Sequence, residues 1–285
     1  MSATEHVPGL RPIRGPSALG GDARRFVNLL LTLATTDFKL RFFGSTLGYL
    51  WQLVRPLMLF GVLFVVFTQF VRLGTGVPFY PVVLLMGIVL YSFFAEATGG
   101  SVTSVIDREN LVRKIHFPRM VIPLSVTLTA SFNLLLSLVV VFFFMAASGV
   151  EVRLTWLELP VLIVLLTLFA AGLAMLLSAL FVSFRDVRPI WDVITQALFY
   201  ATPVIYPIEQ VAARNETLAQ IAMCNPLAAI IQQFRYAMID PSAQSAGEAL
   251  GGAWMLLVPV AVIVAVFALG LWVFDHMAPR IADEL

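Results

Sequence analysis

The sequence predicts an all-α integral membrane protein with six transmembrane helices, and two observations carry that prediction. The 285 residues are 60% hydrophobic and only 12% charged, with a mean hydropathy of +0.92. Several apolar runs exceed the roughly 18 residues that mark a helix able to cross a bilayer. Low-charge windows give six predicted spans, approximately at residues 49–71, 79–100, 121–147, 157–182, 190–208 and 254–274.

The chain before the first span divides into a tail and an amphipathic helix. Residues 1–21 are polar and lack the apolar core of a cleavable signal peptide, which indicates a flexible cytoplasmic tail. In residues 22–47, apolar side chains such as Phe26 and Leu30 recur at helical spacing among charged ones, which predicts a helix lying in the membrane surface. Residues 48–285 are predicted to form the six-span transmembrane domain.

The distribution of arginine and lysine predicts the orientation. Most of these residues fall in the N-terminal segment, in the loops after spans two and four and in the C-terminal tail, whereas Arg72, Arg153, Arg214 and Arg235 fall on the other side. By the positive-inside rule, both termini are expected in the cytoplasm. All five tryptophans lie near predicted span ends, as interfacial anchors do.

The predicted fifth span is short, and it contains Pro203 and Pro207. The semi-apolar stretch after it has no window long enough to cross, so two short helices broken at Asn225 and Pro226 are predicted there, the second ending near residue 239. Non-helical backbone at membrane depth persists only when it is buried in protein or lines a wet cavity. The segment therefore fits either a channel mouth or a packed external cap.

The sequence argues against chemistry on this chain. The two lysines, Lys39 and Lys114, do not lie in a glycine-rich loop of the kind that binds phosphates. The spacing of the histidines and the single cysteine matches neither a metal site nor a catalytic nucleophile with its base. A net charge of +1 indicates no nucleic-acid partner. The ionisable residues Arg55, Glu96 and Asp192 lie toward the cytoplasmic ends of their spans, which favours contact with water over an ion relay.

A charged island, residues 107–119, separates spans two and three. Leu111 and Val112 would share one face of a short helix within it, and Pro118 would end that helix. The residue pattern alone leaves two interpretations open. The island is either a solvated turn that sets the topology or a docking helix for a cytoplasmic partner.

Four motifs in a fixed order resemble one known family. The first span opens with LGYLWQLVRP at residues 47–56, and the charged island is part of NLVRKIHFPRMVIP at residues 110–123. FRDVR follows the fourth span at residues 184–188, and PVIYP at residues 203–207 precedes Asn225 and Pro226. This order resembles the polysaccharide-exporting permeases of the type II ATP-binding-cassette exporter family, which includes permeases for O-antigen, teichoic acid and capsule. The resemblance extends over most of the chain, from about residue 22 to residue 275.

The resemblance implies a transport subunit, not an enzyme, in a bacterial cytoplasmic (inner) membrane. It implies a homodimer that binds two copies of a separate ATPase, carries no cofactor itself because ATP and Mg belong to that partner, and exports a lipid-linked polysaccharide. A permease for a small amphiphile or antibiotic is the alternative within the superfamily. A membrane enzyme or an ion-coupled carrier is the alternative outside it.

The resemblance also implies roles for four groups of residues. ATPase coupling is expected at Arg108, Glu109, Asn110, Arg113, Lys114, Phe117, Pro118 and Arg119. The interface helix contributes Arg24, Arg25, Asp37, Lys39 and Arg41. Phe199, Tyr200 and Tyr206 are expected to line the channel, and an outward-facing gate is expected at Pro203, Pro207, Asn225 and Pro226.

Overall fold

The computed structural model describes residues 23–41, 48, 50–71, 76–114 and 117–284, with their side chains except those of 112–114 and 278–284. Throughout these ranges the regular structure is helical. The α-helices are α1 (Ala23–Arg41), α2 (Leu50–Val65), α3 (Tyr80–Val102), α4 (Ser104–Asp107), α5 (Glu109–Lys114), α6 (Val121–Ala147), α7 (Leu159–Ser183), α8 (Val187–Ala201), α9 (Ile208–Ala212), α10 (Glu216–Met223), α11 (Pro226–Phe234), α12 (Ala246–Ala249) and α13 (Leu257–Glu284). The predicted tail and residues 22 and 42–47 of the predicted interface helix lie outside the described residues.

Five helical segments are long and apolar enough to cross a membrane, which makes this a multi-pass membrane protein. They are Leu50–Phe70, Tyr80–Val102, Val121–Ala147, Leu154–Ser183 and Ala253–Met277. A π-helical turn extends α2 to Phe70, and 3₁₀ turns precede α7 and α13. These segments correspond to five of the six predicted spans.

The predicted fifth span differs from its prediction in length. Its helix, α8, has 15 residues and ends at Ala201, well before residue 208. The cause is local, because Thr202 adopts extended backbone angles and the prolines that follow cannot donate to a helix ladder. At 1.5 Å per residue, α8 is about 22 Å long, which is less than the roughly 30 Å of a hydrocarbon core.

The central helix of the bundle is α3, which packs against α2, α6, α7 and α8. It is apolar on every side, and residues such as Leu84, Ile88 and Phe94 are almost fully buried, as a helix of this composition requires. In contrast, every residue of α2 remains at least partly exposed. The first span therefore lies at the periphery of the single chain.

The two ends of the bundle have separate apolar clusters. At one end, here called the α1 end, Phe26 packs against a cluster that includes Met120, Val182 and Phe274. At the other, the α9 end, a second cluster joins α9, α10, α11 and α12. Thr155, just before α7, donates a hydrogen bond of 2.5 Å to the carbonyl oxygen of Ala237 and so ties these helices to the spans.

Helices α7 and α13 come into close contact at two glycines. A Cβ atom on Gly270 would lie 2.2 Å from the carbonyl oxygen of Gly172, and one on Gly172 would lie 2.7 Å from Cα of Phe267. Small residues at a helix interface permit this approach. Inside a membrane the hydrophobic effect does not favour helix association, so the helices are held together by the van der Waals contacts that close packing allows. The last span is thereby held against the bundle.

Candidate functional site

The predicted interface helix is α1, and it lies along α6. Ala34 is fully buried, and its carbonyl oxygen accepts a hydrogen bond of 3.2 Å from Thr129 Oγ1. The rings of Phe38 and Phe132 meet edge to face with centroids 5.8 Å apart. Much of the rest of the helix is exposed, including Arg24, Arg25, Val27, Leu31, Lys39 and Leu40.

An ion pair joins α1 to the start of the charged island. Arg108 donates to the Asp37 carboxylate, and its other terminal nitrogen donates to Ser125 Oγ of α6 at 2.9 Å. Asp37 and Arg108 are 71 residues apart in sequence, and their side chains are 30% and 22% exposed. The structure therefore brings together two segments that the sequence analysis assigned to the same partner.

The island divides into an outward part and an anchored part. Its helix is α5, in which Asn110 is exposed and Glu109 is half-buried; the side chains of residues 113 and 114 lie outside the described residues. Phe117 packs against the cluster at the α1 end, and Arg119 is only 8% exposed. Pro118 lies between them and is half-buried. Phe117 and Arg119 thus hold the island in the bundle.

A second polar junction lies one helical turn further along α1, at Glu96 of α3. Its carboxylate accepts hydrogen bonds from Arg41, from Asn133 Nδ2 at 2.7 Å and from Gln52 Nε2 at 3.4 Å. Sequence reasoning placed Glu96 only in contact with water and missed these partners. The signal was available, since a carboxylate in an apolar span requires partners and Asn133 also interrupts an apolar run.

Helix α8 exposes a row of polar side chains, although apolar residues such as Ile190 and Val193 are exposed on it as well. Arg188, Asp192, Gln196 and Tyr200 recur at intervals of four residues, so they share one face, and all four are exposed in the single chain. Trp191 points the other way, into the core, and its Nε1 donates to Thr98 Oγ1 at 3.2 Å. We call the four exposed residues the α8 stripe.

Only one of the three predicted channel aromatics is mostly exposed, and its ring packs edge to face on its neighbour, with centroids 5.4 Å apart. Tyr200 is 62% exposed. The ring of Phe199 packs edge to face on Tyr91, with centroids 4.9 Å apart. Tyr206 is half-buried, and its hydroxyl lies 3.1 Å from the carbonyl oxygen of Ala201, to which it donates. Tyr206 therefore satisfies the last turn of α8.

The predicted gate residues lie at chain breaks. Pro203 and Pro207 belong to the buried, non-helical segment after α8, where Tyr80 donates to the carbonyl oxygen of Ile205 at 2.9 Å. Asn225 caps α11, since its side-chain oxygen accepts from the Leu227 amide at 3.1 Å, and Pro226 follows as the first helical residue. These residues fix where the short helices begin and end.

A buried charge cluster at the α9 end was not predicted. Arg235 donates to Glu209 at 2.8 Å and to Asp240 at 3.4 Å. The side chains of Arg235 and Asp240 are only 8% and 2% exposed. Sequence reasoning used Arg235 only as a topology charge, because its partners lie on α9 and beyond α11, and their proximity depends on how the short helices fold back.

Comparison with known proteins assigns the family. The model of the ABC-2 type transporter family matches residues 28–239, about three quarters of the chain. The chain belongs to the ABC-2 type transporter family. The match contains most of α1, the charged island, α8 and the helices up to α11. The protein is thus a permease of this family, a transport subunit and not an enzyme.

Three curated relatives are similar over most of their length. The chain is 28% identical over 211 residues to the O-antigen export system permease protein RfbA of Myxococcus xanthus, covering 74% of this chain and 80% of that protein. Two proteins of the same name from Klebsiella pneumoniae are 29% identical over 209 residues, covering 73% of this chain and 79% of each of them.

Proposed function

We propose that this permease is the membrane subunit of an ATP-driven exporter that carries a lipid-linked polysaccharide out of the bacterial cytoplasm. Two copies would bind two copies of a separate ATPase. The observation that carries the proposal is the ion pair between Asp37 and Arg108, because it sets two predicted ATPase contacts, α1 and the island, side by side. The curated relatives are named as O-antigen export permeases, which supports a glycan as the cargo.

The charge distribution supports an orientation with the α1 end in the cytoplasm. The positive-inside rule favours that side for the cations of α1 and the island. Helix α8 would then complete a sixth span together with the extended segment that follows it. Such a break is tolerated in a membrane when the backbone is buried in protein, and residues 202–205 are all buried. With six spans, both termini lie on the cytoplasmic side.

The α8 stripe supports a polar path between two copies. Facing lipid, Gln196 and Tyr200, which lie further along α8, would each lose several kcal/mol of solvation without a partner. Facing the same stripe across a twofold axis, they would line a wet passage for sugar hydroxyls.

The mechanism follows from this arrangement. Closure of the two ATPase subunits around ATP and Mg would push α5 and α1, which rest on the same partner. The transmembrane helices would move as rigid bodies, because each is hydrogen-bonded within itself, and the first span would tilt against α8 of the other copy. The short helices of the α9 end, shaped by Pro207, Asn225 and Pro226, would act as the outward gate.

The docking part is tested by reversing the charge of α5. In the paired variant Arg113→Glu with Lys114→Glu, the partner ATPase should no longer copurify, and glycan export should be lost. Arg214→Glu, an exposed charge at the opposite end, is the matched control and should behave as the wild type. Copurification of an ATPase that still responds to the reversed variant would refute the docking surface. Export of an amphiphilic dye without any glycan would favour the other class of cargo.

The path is tested on the stripe itself. Gln196→Leu and Tyr200→Ala should each lower glycan export per assembled complex, with no loss of ATPase copurification. Phe143→Ala is the matched control, because Phe143 is an aromatic residue 70% exposed on another helix, α6. Unchanged export in both stripe variants would remove α8 from the path.

A further inference from the structure

The Glu96 carboxylate holds both ends of the connection between α1 and α2. Arg41, which binds Oε1, is the last residue of α1, and Gln52, which reaches Oε2, lies in the first turn of α2. One carboxylate of the central helix is therefore shared between the surface helix and the first span. Neither helix can shift against the other while both contacts persist.

Asn133 holds this carboxylate in place. It is 1% exposed within the apolar helix α6, and its Nδ2 donates to Glu96 Oε1 at 2.7 Å. A buried N–H donor is costly in such a setting unless it is hydrogen-bonded, and Glu96 satisfies the Nδ2 donor, whereas the buried Oδ1 of Asn133 has no partner among the described residues. The Glu96 junction thus joins four helices, α1, α2, α3 and α6.

The same face of α1 contacts the charged island. Asp37 and Arg41 are four residues apart, so their side chains lie on one side of the helix, one turn from each other. Asp37 binds Arg108 at the start of α5, and Arg41 binds Glu96 in the bundle. A force on α5 has a direct route through α1 to the first span.

We propose that Glu96 is a positioning residue that couples α1 to the first span, so that ATPase movement opens the path only while the Glu96 junction is intact. The inference rests on the proposed function of α1 and the island as the ATPase contact. It assigns a transmission role to a residue of the central span that lies outside the predicted ATPase contacts and the α8 stripe.

The functional test compares transport with ATP hydrolysis in the complete complex. In Glu96→Gln and in Gln52→Ala, the ATPase should copurify and hydrolyse ATP at its basal rate, while glycan exported per ATP falls roughly tenfold, within the usual range for coupling between sites. The double variant should lose no more than the worse single one, since both remove the same interaction. Glu151→Gln, an exposed carboxylate elsewhere, should change nothing.

A distance measurement separates this inference from the proposed function. Cysteines carrying spin labels replace Val27 of α1 and Met58 of α2, which are both exposed, and serine replaces Cys224. The distance between the two labels then reports the relative position of the helices in nanodiscs without any ATPase. Glu96→Ala should broaden the distance distribution, and Glu96→Gln should broaden it less. An unchanged distribution in Glu96→Ala, or losses that add up in the double variant, would overturn the inference even if the ATPase binds as proposed.

Discussion

The charge clusters at the two ends of the bundle are built differently. At the α9 end, Arg235 and Asp240 are almost fully buried, and Glu209 belongs to the same short-helix assembly. At the α1 end, the pairs of Asp37 with Arg108 and of Arg41 with Glu96 are 22% to 46% exposed, and they join elements far apart in sequence. One cluster lies within a packed unit, and the other lies between separate elements.

The difference indicates which end can move. An exposed ion pair contributes little net free energy because water competes with it, whereas breaking a buried pair leaves a charge without solvent or partner. The α9 end is therefore expected to behave as one rigid unit. The ion pairs of the α1 end are expected to add little net stability, while they determine which elements move together when a partner exerts force.

The largest expected effect comes from breaking the buried cluster. Arg235→Met would leave Asp240 buried without its cation, and such losses cost about 3–5 kcal/mol. Thermal unfolding in detergent should show strong destabilisation, and hydrogen exchange should rise across residues 208–240. Arg214→Met, at an exposed position of the same end, should stay within about 0.5 kcal/mol of the wild type. Equal destabilisation by the two variants would contradict the expectation that the α9 end depends on its buried ion pairs.

A much smaller effect on stability is expected at the α1 end. In a double-mutant cycle with Asp37→Asn and Arg108→Gln, the coupling free energy should be about 1 kcal/mol or less and should shrink at high salt. Thermal unfolding at two salt concentrations measures it. The same variants should nevertheless weaken ATPase copurification, because they release α1 from the island. A salt-independent coupling above about 3 kcal/mol would mean that this end is as rigid as the other.

The features that could be predicted from the sequence are those set by neighbouring residues. Long apolar runs require helices in a membrane, so five spans follow from composition and length alone. The amphipathic spacing before the first span gives α1, the prolines and Asn225 give the breaks around the short helices, and the order of four motifs gives the family. Each of these signals lies within a few adjacent turns of the chain.

Other features depend on contacts between distant segments, and only the tertiary structure decides them. Tyr200 is the exposed channel aromatic because Phe199 packs on Tyr91 and the Tyr206 hydroxyl binds the carbonyl oxygen of Ala201. Glu96 and Arg235 look like isolated charges in the sequence, because their partners lie on other helices. The sequence by itself determined the helices and their type, since these are set by local hydrogen bonding and burial; the structure decided which charges meet, since that depends on how the helices pack.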